Sequence, residues 1–212
     1  MPDTTNSKTT LYMIRHGEPH EDFKPLYYGQ MDVPLSERGL RQTGAVAERL
    51  EGVPFEVVYS SDLQRAGLLA DALADPRDLP VRRLEVFRER NLGMLQGMTL
   101  AQMGERHPVE YAEWNADRVY HRIDGGENYE DLRDRVVPHV EHLIKSFAGK
   151  RIALACHAGP IRVTLGHVLG MPLDQVFNFT LDYGSINVVE FDPKPRLGEG
   201  AGNGPRVKLV NG

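Results

Sequence analysis

Four places in this 212-residue chain set a charged or nucleophilic side chain at or close after an apolar run. Arg15 and His16 follow Leu11-Tyr-Met-Ile14, Arg65 lies shortly after Phe55–Tyr59, Glu89 follows Val81–Phe87, and His157 follows Arg151–Cys156. A polar group at the end of a buried strand is costly unless something pairs with it, by about 1–3 kcal/mol for a neutral group. In open α/β sheets the usual partner is a ligand held beyond the carboxyl ends of the strands. An imidazole next to a guanidinium suits a nucleophile or an acid–base group beside an anion holder. One such histidine alone is more often a hydrogen-bonded structural residue. Repetition of the pattern at Arg65, Glu89 and His157 shifts the reading towards a site.

The elements that must position these residues alternate along the chain. Leu11–Ile14 is a continuous apolar run, as expected of a strand covered on both faces. Ser36 is a good N-cap for a helix whose apolar positions Leu40, Val46, Ala47 and Leu50 share one face, and Gly52-Val-Pro54 ends it. Asp62 is placed to cap a helix over 63–74, which puts Arg65 in a first turn, where free N–H groups and the helix dipole favour anions. Val81–Phe87 reads as a third strand. Thr99 and Gln102 form a capping box for a short helix that ends before Pro108. The stretch from Tyr111 to Arg122 is aromatic and charged, which suggests a lid over a pocket rather than core. A helix follows from about Tyr129 to Phe147, with Pro138 inside it. Arg151–Cys156 is a fourth strand; Pro160 suits the first position of the next helix, and Ser185–Phe191 is a last strand. This alternation predicts a three-layer α/β/α sandwich with a largely parallel sheet. The expected organisation is a frayed tail over 1–10, one domain over 11–192 with a lid-like insert near 98–126, and an irregular tail over 193–212 with at most a short strand at 207–210.

Composition narrows the classes. The chain is 41% hydrophobic and 26% charged, ordinary for a globular protein with a core. A formal net charge of −5 argues against nonspecific nucleic-acid binding, and no stretch reaches the roughly 20 apolar residues of a membrane span. The polar start has no secretory h-region, and the single cysteine, Cys156, fits a reducing compartment, so a cytoplasmic location is expected. Cys156 and His157 should face opposite sides of their strand, which argues against a Cys–His catalytic pair. His139 and His142 are three apart on a helix without a third ligand nearby, so no metal site is expected there.

Arg15-His-Gly-Glu18 resembles the signature of the histidine phosphatase superfamily, the phosphoglycerate mutase-like proteins. Asp32-Val-Pro-Leu-Ser-Glu-Arg-Gly39, Ser60-Ser-Asp-Leu-Gln-Arg-Ala66, Glu89-Arg-Asn-Leu-Gly-Met-Leu-Gln-Gly97, Gly125-Gly-Glu127 and His157-Ala-Gly159 also resemble that family's motifs, in its order. The resemblance implies a phosphoglycerate mutase-like fold and a two-step phosphoryl transfer without a metal or cofactor. His16 would be the nucleophile, with Arg15, Arg65 and His157 around the phosphoryl oxygens, where the transition state puts its charge. Glu89 would protonate the leaving group and later take a proton from water, a role favoured by partial desolvation. Gly17, Ala158, Arg90 and Asp22 complete the expected substrate-binding set. Asp22 departs from the family pattern, which often has Asn there, and Pro19 stands where Thr or Ser is common. An inward-facing Asp22 would repel phosphate unless an arginine paired with it.

The motif at Glu89 is close to the mutase version, but Leu92 and Leu100 replace the mutase tyrosine and lysine, and the segment before His157 lacks the longer mutase insert. Gly126-Glu127 suits the phosphatase branch, where the chain is similar to α-ribazole phosphatases and to broad-specificity sugar-phosphate or phosphoserine phosphatases. The expected activity is therefore hydrolysis of a small phosphate monoester, with a phosphoglycerate mutase or an idle phospho-ligand-binding module as alternatives. Arg90, Trp114, Arg118, His121 and Arg122 are the candidates for substrate selection. The expected partners are a small phosphate ester and at most a second copy of the chain, as a monomer or homodimer.

Overall fold

The computed structural model describes residues 7–192 and 204–212, so most of each expected tail lies outside the described residues. A six-stranded sheet runs in the order β3-β2-β4-β1-β5-β6. Its strands are β1 (Thr9–Arg15), β2 (Val57–Ser60), β3 (Val81–Arg83), β4 (Arg151–Cys156), β5 (Ile186–Phe191) and β6 (Arg206–Leu209). The first four pair in parallel, whereas β5 and β6 are antiparallel additions at the β1 edge. The sheet is thus mixed, with a parallel majority.

Strand alternation divides the core into two faces. From β4, Ile152, Leu154 and Cys156 point to one side, among residues of α5 (Tyr129–Ser146) and α6 (Ala158–Val168) such as Leu132, Val136, Val140, Ile161 and Leu165. Ala153 and Ala155 point to the other side, against Val46 and Leu50 at the end of α1 (Glu37–Arg49) and Leu69 and Leu73 of α2 (Gln64–Ala74). The three layers follow from the period-2 strands and from helices with one apolar face each. Cys156 is buried in the first face, opposite in direction to the following His157, and burial pushes its thiol well up from the usual range. Among the described residues no helix is long and apolar enough to cross a membrane.

Several elements end elsewhere than the sequence suggests. Thr9 and Thr10 belong to β1 rather than to a tail, because they pair with β5. β3 stops at Arg83, where its partner β2 runs out at Ser60; Glu85–Phe87 then forms a 3-10 turn. Asp62 does not cap α2, since Arg88 takes its carboxylate; Asp32, from a separate loop, accepts from Gln64 N at 2.8 Å instead. Pro160 is the third residue of α6 rather than the first, still within the turn whose N–H groups need no helical partner. Leu40, expected on the buried face of α1, is 52% exposed.

The insert contains α3 (Leu100–Arg106), whose Thr99–Gln102 capping box is formed, and α4 (Pro108–Ala116). It is not wholly polar: Trp114 packs into a separate small core with Leu92, Leu95, Met103 and Ile123.

Candidate functional site

The chain leaves β1 towards α1 on one face of the sheet and leaves the adjacent β4 directly into α6 on the other. Between two neighbouring parallel strands whose continuations diverge, a crevice opens at their carboxyl ends, the place where open α/β sheets bind ligands. Arg15 and Cys156 are register partners there, and His16 N bonds to Cys156 O at 3.1 Å, extending the ladder by one residue. His16 and His157 therefore emerge side by side, with ring centroids 5.0 Å apart.

His16 is 1% exposed, and its Nδ1 lies 2.6 Å from the carbonyl oxygen of Gly17. Only a protonated Nδ1 donates to a carbonyl, so the lone pair sits on Nε2. Burial and the adjacent Arg65 and Arg15 hold the His16 pKa well below its usual value, against the pull of the Gly17 bond. The ring is held neutral at neutral pH, with an unprotonated nitrogen. Gly17 is needed for this arrangement: a Cβ there would stand 2.3 Å from Gly39 O, at the start of α1. Ser36 caps that helix through Gly39 N and also donates to the Glu18 carboxylate at 3.1 Å.

Arg65, in the first turn of α2 as expected, is fully buried, and burial lowers its pKa. It donates to Met31 O at 2.7 Å and to Gly29 O at 2.8 Å, which orients the guanidinium. Arg15 donates to Leu181 O and stacks over the Tyr183 ring at 4.0 Å. The buried side-chain atoms with no hydrogen-bond partner include Arg15 Nε, Arg65 Nε and both ring nitrogens of His157. Buried polar atoms left unpaired are costly, and two guanidinium N–H groups with one imidazole N–H in one crevice suit an anion with several oxygens. Burial and the nearby Arg65, His16 and Arg15 hold the His157 pKa well below its usual value, so in the free site this ring is neutral rather than cationic.

Glu89 is fixed at the start of α6. Its carboxylate accepts from Gly159 N at 3.1 and 3.2 Å and from Arg90 N at 2.8 Å, rather than pairing with Arg88 or Arg90 at the surface. Its segment is tied down by Arg135, which holds Glu127 through two hydrogen bonds and donates to the carbonyls of Val86, Arg88 and Glu89. Gln30 also donates to Glu89 O at 2.9 Å. The Gly125-Gly-Glu127 motif thus acts on Glu89 through Arg135, a residue that sequence reasoning missed. The Glu127 carboxylate also accepts from Asn91 N at 2.9 Å.

A cavity of about 460 Å³ opens from Arg15, Glu89 and Ala158 and is walled by Tyr27, Tyr28, Arg90, Trp114, Arg118, Tyr129, Arg162, Phe177 and Tyr183. Of the expected selecting residues, Arg90, Trp114 and Arg118 line it. His121 and Arg122 do not, because Glu110 and Asp131 engage them outside it. Asp22 also lies outside: its side chain is 81% exposed and 3.3 Å from His20 Nδ1, so it neither faces phosphate nor needs an arginine. Arg162, Tyr28 and Tyr183 were not singled out in the sequence; Arg162 sits on the helix that begins with His157-Ala-Gly159, and that proximity was the available signal. Tyr28 and Tyr183 hydroxyls lie 3.3 Å apart across the crevice, and burial raises the Tyr28 pKa. Among the described residues, Glu110, Glu113 and His121 are close enough to one another to share a metal ion, outside this cavity. His139 and His142 are exposed on α5, and each is engaged locally, with Arg135 O and Ser146.

The family model for the histidine phosphatase superfamily (branch 1) matches residues 11–198. The chain belongs to that superfamily. It is 28% identical over 184 residues to phosphoserine phosphatase 1 of Hydrogenobacter thermophilus, covering 87% of each chain. It is 31% identical to the 2,3-bisphosphoglycerate-dependent phosphoglycerate mutase 2 of Gloeobacter violaceus, covering 82% of this chain and 81% of that one. The crystal structure of the α-ribazole phosphatase from Shigella flexneri superposes with a TM-score of 0.85 at 23% identity, over 96% of both chains, and so shares the fold. Superfamily membership and the phosphatases among its relatives make this protein a phosphatase.

Proposed function

We propose that the protein hydrolyses a small-molecule phosphate monoester in two steps through a phosphohistidine on His16. In the first, Nε2 of His16 attacks phosphorus, the P–O ester bond breaks, and Glu89 gives its proton to the leaving alkoxide. In the second, water attacks the phosphohistidine, its proton passes to Glu89, the P–N bond breaks, and inorganic phosphate leaves. Arg15, Arg65 and His157 hold the three non-bridging oxygens, with Gly17 and Ala158 close behind them. Positioned charge of this kind supplies most of the rate in phosphoryl transfer, so the arginines serve where other enzymes use a metal.

The observation that carries this reading is His16 itself. It is buried, neutral and locked by Gly17 O so that its lone pair is on Nε2, beside buried atoms of Arg15, Arg65 and His157 that have no partner in the protein. Leu92 on the cavity wall, in place of the mutase tyrosine, supports water rather than a second phosphate ester as the acceptor.

Phosphate release from a panel of phosphomonoesters, measured in chelator beside His16→Ala, tests the proposal. Release by the wild type that falls about 10⁴-fold or more in the variant is expected of a lost nucleophile. Release that survives in the variant contradicts it, and interconversion of phosphoglycerates without release points to the mutase.

A further inference from the structure

Residues 181–185, the loop that leads into β5, touch both Arg15 and His16. Leu181 O accepts from the Arg15 guanidinium, and Ser185 O accepts from Arg15 N at 3.0 Å. Gly184 N donates to His16 O at 3.1 Å. The Tyr183 ring lies 4.0 Å beneath the Arg15 guanidinium, and its centroid is 5.7 Å from that of His16. The direction of Arg15 therefore depends on where this loop stands. The loop is neither helix nor strand, so its position must be fixed by contacts from elsewhere.

Those contacts come from the segment that follows β6. Leu209 of β6 pairs with Val188, and beyond it Gly212 exchanges both backbone hydrogen bonds with Ile186, each at 3.1 Å. Between these two pairs β5 moves by two residues and its partner by three, so the partner carries one extra residue. A bulge of this kind turns a side chain in a new direction. Asn211 lies there at φ 55°, a left-handed conformation that asparagine tolerates better than most residues. Its side chain meets Asp182: Oδ1 accepts from Asp182 N at 2.6 Å, and Nδ2 donates to the Asp182 carboxylate at 3.0 Å. Its own N–H donates to Asn187 Oδ1 at 3.0 Å. The buried Asn187 in turn donates to Met13 O at 3.2 Å, two residues before Arg15. Two hydrogen bonds to one residue, one of them to a carboxylate, fix direction as well as distance.

The structure assigns Asn211 a positioning role at the phosphoryl end. Through Asp182 it holds residues 181–185, and through them the Arg15 guanidinium and the Tyr183 ring beside His16. Asn211 does not line the cavity and acts only through these neighbours. The role rests on the phosphatase reading above, in which Arg15 holds a phosphoryl oxygen. Without the Asn211–Asp182 pair, Leu181 O and Tyr183 can move together, and Arg15 loses its fixed direction. A misplacement of about 1 Å costs on the order of a hundredfold in rate. Phosphate binding, which gains less than the transition state from exact placement, should lose less.

An exchange of side chains tests this. Asn211→Gly keeps the left-handed turn and removes both side-chain bonds. Asn211→Asp sets two carboxylates against each other, and adding Asp182→Asn to it restores both bonds with amide and carboxylate exchanged. For the wild type, the two single variants and the double variant, kcat and KM are measured on an aryl phosphate. Calorimetry gives the Kd of inorganic phosphate, and thermal melts give the folded fraction. Each single variant should lose about tenfold to a hundredfold in kcat/KM, chiefly in kcat, and less in phosphate affinity. The double variant should return both to within about threefold of the wild type. A pair that serves stability alone would lower the melting temperature and leave kcat/KM and Kd of the folded protein unchanged. That result, or no recovery in the double variant, overturns the positioning role and leaves the phosphatase standing. Weaker phosphate binding in the single variants of a protein that hydrolyses no ester keeps the positioning role and overturns the phosphatase reading. A wild type that neither hydrolyses an ester nor binds phosphate overturns both.

Discussion

The phosphoryl end of the cavity and its outer wall are built in different ways. At the phosphoryl end, His16 and His157 sit on neighbouring strand ends and Arg65 in a first helical turn; backbone carbonyls of Gly17, Met31, Gly29 and Leu181 orient His16, Arg65 and Arg15. At the outer wall, Arg90, Arg118 and Arg162 come from a loop, the lid and a helix; each lies over an aromatic ring, and Arg90 and Arg162 also donate to the carbonyls of Arg118 and Phe179. Groups held by the main chain keep one geometry whatever ester is bound, as preorganised charge stabilisation requires. Trp114, beneath Arg118, belongs to the small separate core of the lid, whereas Tyr129, beneath Arg90, belongs to the main core. Under the proposed function, the groups that meet phosphate and the groups that face the rest of the ester stand on differently built parts of one cavity.

That contrast can be broken first at the acid. Glu89→Gln should slow hydrolysis of alkyl phosphates by about a hundredfold or more, and of activated aryl phosphates far less, because only the former need a proton on the leaving group. Steady-state rates on both ester types check this; equal losses would remove the proton-donor role. A subtler break is Gly159→Ala. The new Cβ would stand 2.1 Å from Glu89 Oε1, so the carboxylate must move. A displacement of that order should cost about ten- to a hundredfold in kcat on alkyl esters, with thermal stability as the control for folding. Full activity would show that Glu89 need not sit at the α6 start.

The smallest effect sharpens the comparison through stability. His16 and His157 both have pKa values lowered by burial and by neighbouring arginines, so the unfolded chain takes up protons first as pH falls. Their neutral forms therefore leave stability intact above about pH 6.5, the unfolded value. Below it, stability should fall by up to about 1.4 kcal/mol per pH unit for each histidine, until the folded pKa is reached. Denaturant melts from pH 7 to 5 check this, and His16→Gln or His157→Gln should each flatten the slope. An unchanged slope in both variants would mean that neither ring is held neutral.

Much of the phosphoryl end was legible in the sequence, because each of its groups follows a local rule: polar after an apolar strand, or an arginine in a first turn. The layers, too, follow from alternation and helical period. What was not legible depends on contacts between distant segments. The burial of Trp114 needs Leu92, Leu95, Met103 and Ile123 folded over it, which no local pattern announces. Asp62 had a cap position but found Arg88, while Asp32 reached across from another loop. Asp22 was placed by likeness and lies in solvent, because a short turn carries it away from the crevice. Arg162 had only its place on the helix after His157-Ala-Gly159 to mark it.

The central claim is that the phosphoryl group passes through His16. The most direct test is rapid-quench single turnover with a radiolabelled ester, followed by peptide mapping of the quenched protein. The account predicts an acid-labile, base-stable label on the peptide that contains His16, forming before phosphate is released. Label on a different residue, or phosphate formed at the full single-turnover rate with no label on the protein at any time, would contradict it.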